Sequence, residues 1–403
     1  MNIKVLTGHR NYLNIIMLFL VMMLSGGNHL FVRNPICLLV MVVYGVRIYK
    51  QLGGITLKCI PRRIWYFFTA FLCVIILQVL ILNIFDSAAL AALSNIIAGM
   101  IVYSYYRLVG IDVLISEIMT VMKIMIVLGL ISAILYTFFP DLFSVYEFTD
   151  SYGDKRRVSH VAFLFYRIIG IKDRLCGFFW EPGIYQIYLN IFLILQLGKY
   201  KEKVWILAAI LSVILTISTT GYIILSIILL HELFKKVYMT KNRYTVIAVL
   251  AAAAIGLGYG YKIVSDNISN KVSGENQGSF FARQADVIAG LTIAYENPLM
   301  GIGANTERFK QMRSQIVWQG ELTGSQTKDT GNTNGLVGLM YVWGIPLAVW
   351  YLWGVCRQKI ISSSKWIMAV LLLLSLNSEP LAMTPFFLLF TYSRLDKTLE
   401  VNS

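Results

Sequence analysis

Charge is scarce in this chain. Only 14% of its 403 residues are Asp, Glu, Lys or Arg, while 57% are hydrophobic. Water does not hold a folded domain of that composition, so a soluble globular class is excluded. Cysteine is sparse too. Cys37, Cys59, Cys73, Cys176 and Cys356 have neither metal-ligand spacing nor the pattern of a disulfide framework. The histidines His9, His29, His160 and His231 form no spaced cluster, and no paired acidic motif suggests a metal. Acidic residues are fewer than basic ones, 21 against 35. In a soluble protein that balance points to nucleic acid. Here positive residues flanking membrane spans explain part of it, and no nucleic-acid partner is expected.

What the chain has in abundance is long apolar runs. They fall near 11–24, 30–48, 64–82, 87–106, 118–139, 183–198, 204–218, 221–234, 244–264 and 335–355, with a last run, 366–393, broken by Glu379, Pro380 and Pro385. A crossing helix needs roughly 20 such residues. The alternation of a β-barrel is absent, and helices satisfy the backbone in lipid. The expected fold is therefore one all-α polytopic membrane domain over 1–403, with about 12 transmembrane helices. The first run has no small-x-small cleavage site after it and reads as a retained helix.

Basic residues orient the spans. Lys4 and Arg10, the group from Arg47 to Arg63, Arg107, Lys199 to Lys203, Lys235 to Arg243, Arg357 to Lys365, and Arg394 with Lys397 all land on one side if the helices alternate. That side is expected to be cytoplasmic, with both termini there. The segments Thr219-Thr220-Gly221 and 366–393 must each join two helices for this alternation to hold. Two long loops, 140–182 and 265–334, then lie outside. Both carry Arg and Lys against the bias: Lys155, Arg156, Arg157, Arg167, Lys172 and Arg174 in one, Lys271, Arg283, Arg308, Lys310, Arg313 and Lys328 in the other. These are either tolerated surface charge or an anion site, for which arginine suits a phosphate.

Candidate sites follow, each with a plainer alternative. Glu181, before Pro182 at the start of a membrane helix, reads as an ordinary cap or as a carboxylate that takes a proton from a sugar hydroxyl. The stretch 283–296 has helical period, with Ala285, Ile288, Ala289, Thr292 and Ile293 on one face. It reads as an external helix on the bilayer or as a carrier of Arg283 toward phosphate. Pro298 ends it, and Gly301 and Gly303 make a bend. Thr330 to Leu336 opens a span with capping chemistry that equally suits an anion. Gly256, Gly258 and Gly260 read as helix packing. Trp180, Tyr185, Trp318, Tyr341 and Trp343 are expected at the outer interface, as belt aromatics or as sugar-stacking rings.

Three pieces, in order, carry a resemblance: Arg174-x-x-Gly177-x-x-x-Glu181-Pro182; Arg283 followed by Glu296-Asn297-Pro298-Leu299-x-Gly301-x-Gly303; and Asn332-Thr333-Asn334-Gly335-Leu336 with Trp343-Gly344-Ile345. With two enlarged external loops, the chain resembles the bacterial O-antigen and exopolysaccharide repeat-unit polymerases, in the superfamily that also holds O-antigen ligases. The resemblance implies a GT-C-like fold in the bacterial inner membrane. It implies a glycosyltransferase of lipopolysaccharide or exopolysaccharide biosynthesis that needs no metal or cofactor. Donor and acceptor would be undecaprenyl-diphosphate-linked oligosaccharides, and the partners membrane lipids and a chain-length regulator protein. Arg174 and Arg283 would hold the diphosphate and Glu181 would act as base. Arg156, Arg157, Trp180, Tyr185, Arg308, Asn332 and Asn334 would bind substrate. Ligases carry a His where this chain has Thr333, which argues for polymerase over ligase. A flippase or transporter is the alternative of another class, and the chain has no visible internal repeat in its favour.

Overall fold

The structure is a computed structural model and describes residues 12–53, 59–82, 87–149, 155–167, 174–239, 277–316, 334–362 and 364–396. The expected span 244–264 with its three glycines, the residues Trp318, Thr330, Asn332 and Thr333, and parts of both long loops lie outside the described residues.

The chain is mostly helical and membrane-embedded. Among the described residues, four helices are long and apolar enough to cross a bilayer: α2 (Arg33–Leu52), α3 (Arg62–Leu82), α4 (Ser87–Val109) and α5 (Ile111–Phe138). α2 and α3 leave most of their apolar surface outside the core, including Leu38, Leu39, Val42, Leu80 and Ile81. In water that surface would aggregate, whereas lipid covers it at no cost. The remaining helices are α1 (Tyr12–Leu24), α6 (Pro182–Leu195), α7 (Lys203–Leu215), α8 (Thr219–Met239), α9 (Gln277–Glu296), α10 (Thr306–Ile316), α11 (Gly335–Trp343), α12 (Ile345–Cys356), α13 (Lys365–Ser378) and α14 (Pro385–Leu395). The segment at Thr219 and the run 366–393 thus each hold two helices, as the charge alternation requires.

Helix ends gather at two levels. At one, Arg107 of α4 donates to the Asp396 carboxylate at the end of α14 (2.7 Å) and to the carbonyl of Cys59 (2.9 Å), and Lys359 donates to the carbonyl of Asp396 (2.7 Å). Lys199 and Asp112 pair at that end as well (2.7 Å). At the other level, a meander of β1 (Ser144–Thr149), β2 (Lys155–Val161), β3 (Leu164–Arg167) and β4 (Arg174–Gly177) forms a four-stranded antiparallel sheet. This departs from the all-α expectation: residues 144–177 read as a loop because charge interrupts their alternation. The sheet is anchored by Tyr136 of α5 stacked on Tyr166 (4.5 Å), and by Asn28, whose Nδ2 donates to the carbonyl of Phe163 (2.8 Å).

Two further departures have clear causes. The run expected to start at 118 starts at Ile111, since the buried carboxylate of Glu117 is satisfied within the helices, accepting from Asn14 (2.9 Å) and Tyr106 (2.5 Å). The expected span 335–355 breaks at Gly344, whose φ of 85° suits glycine. A Cβ there would collide with the backbone of Leu299.

The helix lengths leave a step at the sheet end, and β4 packs into it against α5 and α6. Leu388 of α14 packs on Gly99 of α4, so Thr384, at the start of α14, lies roughly 12 Å below the sheet-side end of α4 at 1.5 Å per residue. The Tyr185 hydroxyl reaches the carbonyl of Met125 (3.1 Å). That places it beside Gly129, roughly 13 Å short of the end of α5. Short central helices therefore end on a floor that long outer helices overtop.

Asp396→Ala strands Arg107 in a packed site. It is expected to lower stability by about 3 kcal/mol, the usual cost of breaking a buried pair. Thermal unfolding in detergent checks this, and an unchanged Tm contradicts it.

Candidate active site

The floor is made where helix ends meet. Asn334 is the N-cap of α11: its Oδ1 accepts from the N–H groups of Leu336 and Val337 (both 3.1 Å), and its Nδ2 donates to Oδ1 of Asn377 (2.9 Å). Glu181 is the N-cap of α6 in position, with Pro182 at N1, but its side chain makes no capping bond. Ser25, just past α1, accepts at Oγ from the N–H of Phe386 in α14 (3.0 Å). Glu379, the C-cap of α13, lies between these ends and is 6% exposed. A Cβ on Gly183 would collide with its Oε1, and a Cβ on Gly335 would collide with its carbonyl. The first and third motifs therefore both pack against Glu379-Pro380.

The second motif docks at the break between α11 and α12. The N–H of Ile302 donates to the carbonyl of Tyr341 (2.7 Å), that of Gly303 to Val342 (3.2 Å), and that of Ile345 to Pro298 (2.8 Å). Gln78 of α3 closes the joint, its Nε2 donating to the carbonyls of Met300 (2.5 Å) and Val342 (2.7 Å). Gly301 has a φ of 66°, and a Cβ there would strike the backbone of Tyr341 and Val342. Gly301 thus has a packing reason and Gly303 a conformational one, a φ of 83°. So does Gly177, with a φ of 59° against the Tyr185 ring.

The expected site residues divide. Arg174 is half-buried, and its Nε donates to the carbonyl of Thr216 (3.0 Å), the C-cap of α7. A cation there also complements the helix dipole. Trp180 is half-buried beside His29 (6.4 Å between rings), and its backbone N–H donates to the carbonyl of Gly26 (3.3 Å). Arg283 lies within α9, which packs along α11, and its side chain is outside the described residues. So are the side chains of Arg156 and Arg157; by backbone register these stand opposite Phe148 and Glu147. Arg308 is half-buried in the first turn of α10, with its N–H bonded to Asn305 Oδ1 (3.0 Å).

Three expected interface aromatics belong to the core instead. Tyr185 is 0% exposed and bonded to Met125. Tyr341 stacks on Phe309 (4.6 Å), and Trp343 packs on Phe71 (4.5 Å). Their rings bury more area inside the bundle than a belt position offers. On α9, Ala285, Ala289 and Ile293 are buried as expected, but Ile288 is exposed and Asp286 takes the inner face.

Asp286 and Glu379 were not anticipated. Asp286 forms a buried ion pair with Arg313 of α10 (2.9 Å), which ties the two helices together. The pair is 27 residues apart in sequence, so no local spacing announces it. Glu379 carried a signal, since an ionisable residue inside an apolar run marks a site by default.

Gly301→Ala is expected to unseat the second motif from the break between α11 and α12. It should lower Tm by several degrees, about 1–3 kcal/mol for strain plus lost hydrogen bonds. Equal Tm values for variant and parent would contradict the docking. No family model, curated protein or solved structure matches the chain.

Proposed function

We propose that the chain is a surface-polysaccharide polymerase, a metal-independent glycosyltransferase of the bacterial inner membrane with about 12 spans, a GT-C-like plan and both termini cytoplasmic. It would take a glycan from undecaprenyl diphosphate and join it to the terminal hydroxyl of a second lipid-linked repeat unit. The observation that carries this reading is that Gly183, directly after the first motif, and Gly335 of the third motif, 152 residues apart in sequence, both pack against Glu379-Pro380. A recess inside the span of the long helices, floored by carboxylates and amides, suits a sugar whose carrier lipid stays in the bilayer.

In this reading Arg174 and Arg283 stabilise the charge that develops on the departing diphosphate, set in place before reaction. A carboxylate of the floor receives the acceptor's proton, and Glu181, the one the motifs contain, contacts the acceptor. Asn334 and Trp180 contact sugar. The sheet end faces the periplasm, which agrees with Arg107, Lys359 and Lys199 lying at the opposite end. Ligase activity and flipping are the alternatives; the Thr333 departure disfavours the first.

The test is glycan length in cells carrying single variants. Arg174→Ala, Arg283→Ala and Glu181→Gln are each expected to abolish long chains at normal protein level, leaving single repeats on the carrier. If both arginine variants keep long chains, the site lies elsewhere. If a deletion leaves polymer present but unattached, the activity is ligation.

A further inference from the structure

One carboxylate of the floor has no place in the three motifs. Glu379 lies in the short connection between α13 and α14, 6% exposed, at a depth the outer helices overtop. Holding an ionisable group there is costly, and such residues persist where they serve a function. The chain makes room for it. Gly183, in the first turn of α6, lacks the Cβ that would occupy the place of Glu379 Oε1. Gly335, in the first turn of α11, lacks the Cβ that would strike the carbonyls of Glu379 and Leu376. Asn377 and Pro380, close on either side in sequence, are exposed, so the surface beside Glu379 is accessible. Glu181 stands two residues before Gly183, which puts both carboxylates around the first turn of α6.

We infer that Glu379 is the proton acceptor for the incoming sugar hydroxyl, with Glu181 holding the acceptor beside it. The inference rests on the polymerase reading. The acceptor O–H gives its proton to the Glu379 carboxylate while its oxygen bonds the donor's anomeric carbon. The bond from that carbon to the diphosphate oxygen breaks, and its electron pair leaves with the lipid diphosphate. The proton then passes from Glu379 to the departed diphosphate and restores the carboxylate. Two features favour Glu379 over Glu181. It is more deeply recessed, where competing water is fewer. Its position is fixed by contact with a helix backbone, and a base held within reach of its proton needs no rearrangement.

The experiment uses the full-length protein in detergent with purified undecaprenyl-diphosphate-linked repeat units. Polymer formation, donor KM and Tm are compared for the parent, Glu379→Gln, Glu379→Asp, Gly183→Ala and Glu181→Gln. Glu379→Gln keeps the shape and the hydrogen-bond acceptor. It is expected to lower turnover about 100-fold or more with little change in donor KM. Glu379→Asp should restore part of that loss. Gly183→Ala, which displaces Glu379 without removing it, should lose turnover in the same way. A folded Glu379→Gln protein polymerising at the parental rate overturns the inference; a loss in Glu181→Gln alongside it leaves the polymerase reading standing. If Glu379→Gln does not fold, full turnover by folded Gly183→Ala overturns the inference instead. A parent protein that makes no polymer from these substrates overturns both.

Discussion

The constraint beneath this structure is backbone satisfaction at the ends of helices too short to cross the bilayer. A helix that stops within the membrane thickness leaves N–H and C=O groups that water cannot reach freely. α1, α6, α11, α13 and α14 all end at the floor, so the chain must supply polar partners there. Ser25, Asn334 and Tyr188 do so directly: Tyr188 donates to the carbonyl of Ser25 (2.8 Å), Ser25 Oγ receives the N–H of Phe386, and Asn334 caps α11. A polar layer deep in an apolar protein is then a consequence of helix length. Once it exists, a charge placed in it lies among fixed dipoles rather than in bulk solvent.

The same constraint separates scaffold from chemistry within the motifs. Gly177, Gly301, Gly303 and Gly344 hold positive φ and lie against neighbouring chain segments or, for Gly177, against a ring. Tyr185 and Trp343 are core residues. Arg174 shares its guanidinium with the end of α7. What remains over for chemistry is narrower than the motifs as written: Glu181, Glu379, Asn334 with Asn377, and the guanidinium of Arg174. The ion pair between Asp286 and Arg313 braces the hairpin that carries Arg283.

Much of the bundle was legible in sequence, because apolar runs and basic flanks report directly on lipid contact and on helix ends. The pair of helices at Thr219 and the pair around Pro385 followed from that reading. The sheet did not, since Lys155, Arg156 and Arg157 interrupt the alternation of β2, and its stability comes from Tyr136 and Asn28, residues of other elements. The start of α5 was hidden by Glu117, a charge whose partners Asn14 and Tyr106 are distant or off-pattern in sequence. The break at Gly344 is imposed by residues 298–303, which no local pattern around 344 contains. Glu379 was visible as an interruption of an apolar run, but its burial against Gly183 is a long-range fact.

The central claim is that the meeting point of α6, α11 and α13 is a recess open to the outer side of the membrane. Its most direct test is side-specific labelling of Asn377→Cys in a protein whose five native cysteines have been replaced. Asn377 is exposed on the floor and bonded to Asn334. The account predicts that a membrane-impermeant maleimide modifies this cysteine in intact spheroplasts, and that undecaprenyl-diphosphate-linked repeat units slow the reaction. Modification only after the cytoplasmic face is opened would contradict it.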